Sequence, residues 1–119
     1  MSAPNLATVS TITAKSVTAD LTTIGANIVS NAADSGKLFK INNVVVSNID
    51  GGSAATVTLR VSKSLTARDI YKGISVPVGS SLVLVDRNTA MYLEENDLIY
   101  MSASADNDLT VMINYEEIS

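Results

Sequence analysis

The chain has 119 residues, of which 46% are apolar and only 17% are charged, and its formal net charge is −4. Because soluble domains usually carry about 25% charged residues, we expect this one to cover part of its surface in a stable oligomer or a larger assembly. Its eight basic residues are scattered singly, which argues against direct binding to nucleic acid or to anionic membranes.

The absence of Cys and His restricts the kinds of site that the chain can form. Without Cys there is no disulfide framework and no zinc-finger spacing, and without His the commonest general base and metal ligand at neutral pH is missing. The first residues lack the basic and apolar regions of a signal peptide, and the longest apolar runs, about five residues, fall far below the ~20 of a membrane helix. The composition therefore predicts neither general secretion nor a membrane span.

The N-terminal segment 1–23 is polar and rich in β-branched Thr, Val and Ile, which favour pleated structure. It fits two interpretations, a first strand or an extended arm that pairs with a neighbouring subunit. Leu6, Val9 and Ile12 would supply the apolar contacts of such an arm. We divide the chain into this segment and a β-sandwich domain over residues 24–119.

In the rest of the chain the apolar residues recur mainly with a period of two, as in half-buried strands. Residues 37–49 depart from this period, because Phe39 and Ile41 fall on one face whereas Val44 and Val46 fall on the other. Either both faces are covered or a bulge near residues 42–43 resets the register.

Further along, Thr56–Ser62 places Val57, Leu59 and Val61 on one face. Residues 64–73 read as a loop, with room for one helical turn, that leads into a strand near residues 70–75. Ser81–Val85 is apolar on both faces and predicts a strand covered on both sides. Short strands follow at 91–93, 98–104 and 109–117.

Turn residues separate these strands at residues 31–37, 49–53, 76–81, 94–97 and 105–108. Short strands with regular turn signals predict an all-β protein, an antiparallel β-sandwich or a jelly-roll-like single domain.

The densest acidic cluster lies in Tyr92–Tyr100 (YLEENDLIY). Glu94, Glu95 and Asp97 are hard oxygen ligands suited to Ca²⁺, but their spacing does not fit a calcium-binding loop. The adjacent glutamates would point to opposite faces of a strand, which does not suit an acid–base pair. We therefore interpret the cluster as a solvated turn between two strands.

Asp106 and Asp108 fit a hairpin turn, or a calcium site if a neighbouring loop adds carboxylates. If their loop and the Glu94–Asp97 loop lie at opposite ends of one strand, ~20 Å would separate them and they could not share an ion. The two glycines of Ile49–Ser53 lack the Lys and helix of a phosphate-binding loop. We predict no catalytic residue, no metal site and no cofactor, and therefore no enzyme.

The chain has four tyrosines, and Tyr is favoured at interfaces because one end is apolar and the other forms hydrogen bonds. Cross-strand packing with the hydroxyl at the rim is the simpler interpretation. Tyr71, Tyr92 and Tyr100 are our candidates for an interface, together with the apolar residues of the N-terminal segment.

Residues 37–64 (KLFKINNVVVSNIDGGSAATVTLRVSKS) and 76–119 resemble a family of small virion proteins of tailed bacteriophages, notably phages of marine bacteria. The resemblance rests on SNIDG at a strand end, VPVGSSLVLVD, YLEEND and the terminal YEEIS. It covers roughly residues 37–119, and the N-terminal third matches more loosely. It implies a part of a phage particle. Its motifs are strand and turn motifs, so no functional residue is carried over.

The leading hypothesis is a capsid decoration (cement) protein, a homotrimer that bridges subunits of the shell. Its partners would be the major capsid protein and copies of itself, and its location would be the virion, assembled in the cytoplasm of the bacterial host. The alternative is a tail, neck or fibre component, including a module that binds the host surface. An enzyme on a β scaffold is the remote third reading.

Overall fold

The structure is a computed structural model that describes Thr8, residues 10–50 and residues 52–119. In these residues nine β-strands and one short 3-10 helix, η1, follow one another along the chain. Their bounds are β1 Ile12–Asp20, β2 Ala26–Ser30, β3 Leu38–Asn48, β4 Ala55–Lys63, β5 Thr66–Val76, β6 Ser81–Val85, η1 Arg87–Thr89, β7 Met91–Leu93, β8 Leu98–Ala103 and β9 Leu109–Ile118.

The strands form two antiparallel sheets that pack as a sandwich. Sheet A has the order β1-β9-β3-β6, and β7 pairs with β3 on the same side as β6. Sheet B has the order β2-β8-β4-β5. Because β6 and β7 pair with successive parts of β3, they act as one interrupted strand, and the order of the resulting eight strands is that of a jelly roll. The predicted all-β sandwich is confirmed.

A bulge in β3 explains its irregular pattern. Ile41 pairs with Tyr115 and Asn43 pairs with Asn114, so Asn42 is an extra residue on its strand. The extra residue turns Val44 toward the face that Ile41 already occupies, and both side chains are fully buried. Of the two alternatives for this segment, the bulge is correct.

The core between the sheets is almost entirely aliphatic, with Met101 and Phe39 added. The predicted period of two holds in β4 and β9, whose inward side chains are all buried: Val57, Leu59, Val61, Leu109, Val111 and Ile113. In β8 the buried set is Ile99, Met101 and Ala103. Alternation thus places every second residue of these strands on an outer surface.

Two predictions for local structure were wrong. The segment read as a loop is strand from Thr66 onward, because Ser64 and Leu65 alone make the β4–β5 turn, both with positive φ. Ser81–Val85 is not covered on both sides, since β6 is an edge strand and Val83 is 54% exposed. None of the described residues belongs to a helix with the length and apolarity that a membrane crossing needs.

Residues 12–20 of the N-terminal segment form β1, which pairs with β9 along its whole length. The pairing continues beyond the strand, because the amides of Ser10 and Thr11 donate to the carbonyl of Ser119 at 2.7 and 2.9 Å. The segment from residue 12 is therefore an integral part of sheet A. Leu6 and Val9 lie outside the described residues.

Candidate functional site

The side chain of Asp97, the last carboxylate of the acidic cluster, is buried with 3% exposure. It accepts hydrogen bonds from Lys63 Nζ at 2.7 Å, from the amide of Glu94 at 2.8 Å and from the amide of Ser64 at 3.1 Å. The last two donors belong to different loops. Asp97 therefore ties the β7–β8 loop to the β4–β5 turn.

Glu95 and Asn31 tie the β2–β3 loop to the chain between β7 and β8. Glu95 is 4% exposed and accepts a hydrogen bond from the amide of Gly36 at 3.0 Å. The buried amide of Asn31 donates to the carbonyls of Lys37 and Leu93 at 2.9 and 3.0 Å. Three loops at this end of the sandwich are therefore held by buried polar side chains.

The acidic cluster is a turn, as predicted, but it is not solvated. Glu94 is exposed, whereas Glu95 and Asp97 are buried as acceptors for backbone amides. In the described residues no group of three or more carboxylates could hold a metal ion. The clustering of the carboxylates was visible in the sequence. The period-of-two pattern, however, could not show which of these carboxylates are buried.

The second acidic loop lies at the opposite end of β8, so the two loops are separated by the whole strand. Asp106 accepts a hydrogen bond from the amide of Thr23 at 2.7 Å, and the carbonyl of Asp108 accepts one from the amide of Ile49 at 2.9 Å. These contacts join three loops and indicate a structural role.

The candidate interface residues do not form a single patch. Ile12 is 58% exposed on β1 and Tyr92 is 42% exposed on β7, at opposite edges of sheet A. Tyr100 lies in sheet B, with its hydroxyl donating to the carbonyl of Ile24 and its ring centroid 5.5 Å from the guanidinium carbon of Arg60. Tyr71 is half-buried against the core.

The fourth tyrosine, Tyr115, packs against Phe39 with 5.2 Å between ring centroids. Burial raises its pKa above the ordinary value of 10.0, the Glu117 carboxylate raises it further, and Lys37 acts in the opposite direction. The phenol therefore stays protonated at neutral pH.

The outer surface of sheet A is almost uncharged beyond the row that carries Lys40 and Glu116. Three rows of aligned side chains cross it, and we call these residues the A face: Ser16, Asn43 and Asn114; Thr18, Val45, Val83 and Met112; Asp20, Ser47, Ser81 and Thr110. Asp20 is the only charged member of the A face. Its middle row is apolar apart from Thr18, and Met112 and Val83 are 43% and 54% exposed.

A second surface lies along the side of the sandwich where β5 approaches β7. We call it the side groove, a depression of about 210 Å³ lined by Val61, Lys63, Arg68, Ile70, Met91 and Tyr92. Lys63 closes one end, where its ammonium group donates to the carbonyl of Tyr92 at 3.0 Å. The groove is thus apolar inside and basic at its rim.

The sequence indicated Tyr92 as an interface candidate, but it indicated neither the A face nor the side groove. The A face combines residues from β1, β3, β6 and β9, and the side groove combines both sheets, so no linear motif marks them. The one available signal was the low charge of the whole chain.

The chain matches no protein-family model, and no curated protein is significantly similar to it. It is similar to a solved structure of Bacillus endospore appendages, described as a novel family of disulfide-linked pili, over 99% of this chain and 95% of the other. The TM-score is 0.50 and the sequence identity is 16%. At this identity the similarity shows the fold, a two-sheet β-sandwich domain, and no more.

Proposed function

We propose that this chain is a structural protein of a phage virion, a capsid decoration protein that binds the shell and holds adjacent shell subunits together. Its partners are the major capsid protein and further copies of itself in a homotrimer. The observation that carries the proposal is the A face. The phage context comes from the resemblance of residues 37–119 to small virion proteins.

The A face suits binding to a flat protein surface. Its Ser, Thr and Asn side chains can form hydrogen bonds, and with one carboxylate, Asp20, it carries little of the desolvation cost that buried charges impose. Val45, Val83 and Met112 supply the apolar area that drives association. The charged residues are also depleted in the cores of known interfaces, as they are here.

The fold supports a role in assembly in a weaker way. Jelly rolls occur in viral capsid proteins, and the similar Bacillus structure belongs to appendages that form pili. Fold does not determine function, so this similarity adds only that the domain type is used as a building block. This chain has no Cys, so contacts between its copies cannot be disulfides.

The deciding measurement is a cryo-EM reconstruction of the virion together with binding of the purified protein to particles that lack it. We expect density on the shell at threefold or quasi-threefold points. Density in the tail, neck or fibre would replace the decoration role with the alternative. Absence from the particle would overturn both.

Variants of the A face sharpen the experiment. Val83→Glu and Met112→Glu place charges in the apolar row and should weaken binding to the shell by at least about tenfold. Leu65→Glu is the matched control, because Leu65 is 83% exposed on the turn at one end of the sandwich. Equal binding by all three variants would contradict a role for the A face.

The N-terminal arm is tested separately. Since Ile12 and Thr13 pair with Ile118 and Glu117, a deletion must stop before Ser10 to leave sheet A intact. If Leu6 and Val9 anchor the protein, deletion of residues 2–9 should abolish binding to particles while the sandwich stays folded. Unchanged binding would exclude the arm as an anchor.

A further inference from the structure

The side groove has the dimensions and chemistry of a docking site for one aliphatic side chain. Its volume of about 210 Å³ is below the ~300–1,000 Å³ of pockets that hold small-molecule ligands. Apolar groups of Val61, Met91, Ile70 and Tyr92 line it. An aliphatic side chain entering from outside would therefore meet apolar surface on several sides.

Two irregularities of β5 present this groove to solvent. Tyr71 pairs with Leu59 and Asp69 pairs with Arg60, so Ile70 is an extra residue in a bulge and remains 52% exposed. A second shift lies before Ile74. Bulges at an edge strand change the direction of its side chains and disrupt backbone pairing with a further strand. We therefore expect a partner to bind β5 through its side chains and not by adding a strand to the sheet.

The rim of the groove is positively charged. Lys63 is paired with Asp97, but in the described part of the chain Arg68 has no carboxylate within ion-pair distance. A partner that enters the groove would gain from carboxylates placed close to its aliphatic side chain.

One end of the same molecule carries exposed aliphatic side chains together with carboxylates. We call this the loop end, formed by residues 21–25, 49–50, 52–54, 77–80 and 104–108. Ile24, Ile49 and Val78 are 84%, 62% and 44% exposed there, each from a different loop. The carboxylates of the loop end are Asp50, Asp106 and Asp108, and its loops contain no Lys or Arg.

Hydrogen bonds hold these loops together as one surface. The amide of Asn48 donates to the carbonyl of Ser80, and the amide of Ile49 donates to that of Asp108, both at 2.9 Å. The buried side chain of Asn48 adds a bond to the carbonyl of Val76, also at 2.9 Å. The aliphatic side chains are thus displayed on a connected frame.

We propose that the loop end of one copy docks into the side groove of a second copy, with an aliphatic loop residue in the groove and the loop carboxylates beside Arg68. The two surfaces complement each other in both apolarity and charge. Within one molecule they cannot meet, because the groove lies toward the other end of the strands. The contact is between unlike surfaces, so it closes a ring or extends a chain of copies.

This inference rests on the proposed function only for the idea that copies assemble with each other. A closed ring of three copies would be the homotrimer of that proposal. The A face plays no part in the contact and stays available to the shell. Self-association and binding to the shell are therefore separable in experiment.

The test is sedimentation velocity of the purified full chain over a concentration series, with a groove variant, Ile70→Glu, and a loop variant, Ile24→Glu with Ile49→Glu. We expect the wild type to form species larger than a monomer and each variant to associate at least about tenfold more weakly. A wild type that stays monomeric throughout would overturn the proposal, and so would a loop variant that assembles normally.

Mixing the two variants gives the sharper result. The loop variant retains an intact groove and the groove variant retains an intact loop end, so together they should form a 1:1 dimer that grows no further. Failure to form this dimer, when both variants show the wild-type circular dichroism spectrum, would refute the contact. If Ile70→Glu does not fold, the exposed substitution Arg68→Glu takes its place.

Two controls separate this inference from the proposed function. Val83→Glu on the A face should leave self-association unchanged, whereas Ile70→Glu should remove it. Higher salt should weaken self-association because the charge complementarity lies at exposed sites. Salt-independent assembly that survives Arg68→Glu would exclude the predicted role of the rim.

Discussion

Buried polar side chains complete the backbone hydrogen bonding of the loops in this protein. Loop amides and carbonyls lack ladder partners, and leaving them unpaired in a buried place costs free energy. Asp97 and Glu95 accept from such amides at one end of the sandwich, and Asn48 serves both a carbonyl and an amide at the other end. The polarity of these side chains is therefore accounted for by the loop backbone that they pair with.

Replacing Asp97 should therefore reduce stability. In Asp97→Asn the side-chain NH₂ group would face a donor, and the ion pair with Lys63 would be lost, so we expect about 2–3 kcal/mol less free energy of unfolding. Urea denaturation measures the change through the midpoint at constant m-value. Glu94→Gln, three positions away on the exposed side, should stay within about 0.5 kcal/mol. Equal effects of the two substitutions would contradict the structural role of Asp97.

The strands illustrate how one extra residue corrects a sequence pattern. β3 is central in sheet A, so its residues on both sides of Asn42 must reach the same core. Without the bulge, the residues after Ile41 would face the wrong surface, because a shift by one residue exchanges the two faces of a strand. The bulge lies where the partner of β3 also changes, from β7 to β6.

The two faces of β9 give a direct test of this arrangement. Ile113 is completely buried, whereas its neighbour Met112 is 43% exposed on the A face. Ile113→Ala should lower the free energy of unfolding by about 2–5 kcal/mol through lost burial and a cavity, whereas Met112→Ala should change it by less than about 0.5 kcal/mol. Thermal or urea unfolding of the two variants would reveal a reversed order if the register of β9 were different.

At the scale of the whole molecule, the first and last strands are neighbours. β9 lies between β1 and β3, so the C-terminal strand joins the N-terminal strand to the rest of sheet A. Ser10 and Thr11 lie beside Ser119, to whose carbonyl their amides donate, at the end of the sandwich opposite the loop end.

The position of β9 predicts opposite results for two truncations. Deleting residues 109–119 removes a central strand and leaves β1 without its partner, so no cooperative unfolding transition should remain. Deleting residues 2–9 leaves every described strand complete and should preserve the transition. Calorimetry of both truncated chains distinguishes them, and a cooperative transition without β9 would be incompatible with the sheet order.

The sequence alone determined the fold class, the aliphatic core and the turns at residues 31–37, 49–53, 76–81, 94–97 and 105–108, because alternation and turn residues are local signals that each strand carries independently. It offered a bulge near residues 42–43 as one of two explanations for the irregular pattern of β3. It did not separate β6 as an edge strand or extend β5 back to Thr66, because exposure of a strand depends on its neighbours in the sheet.

The surfaces proposed for function were decided only by the tertiary structure. The A face joins strands from both ends of the chain, and the side groove depends on bulges that aim Ile70 and Arg68 toward β7. The burial of Glu95 and Asp97 likewise depends on donors that lie about 30–60 residues away in sequence. The local sequence pattern shows which residues alternate along a strand. The pairing of strands that are distant in sequence decides which of these residues come into contact.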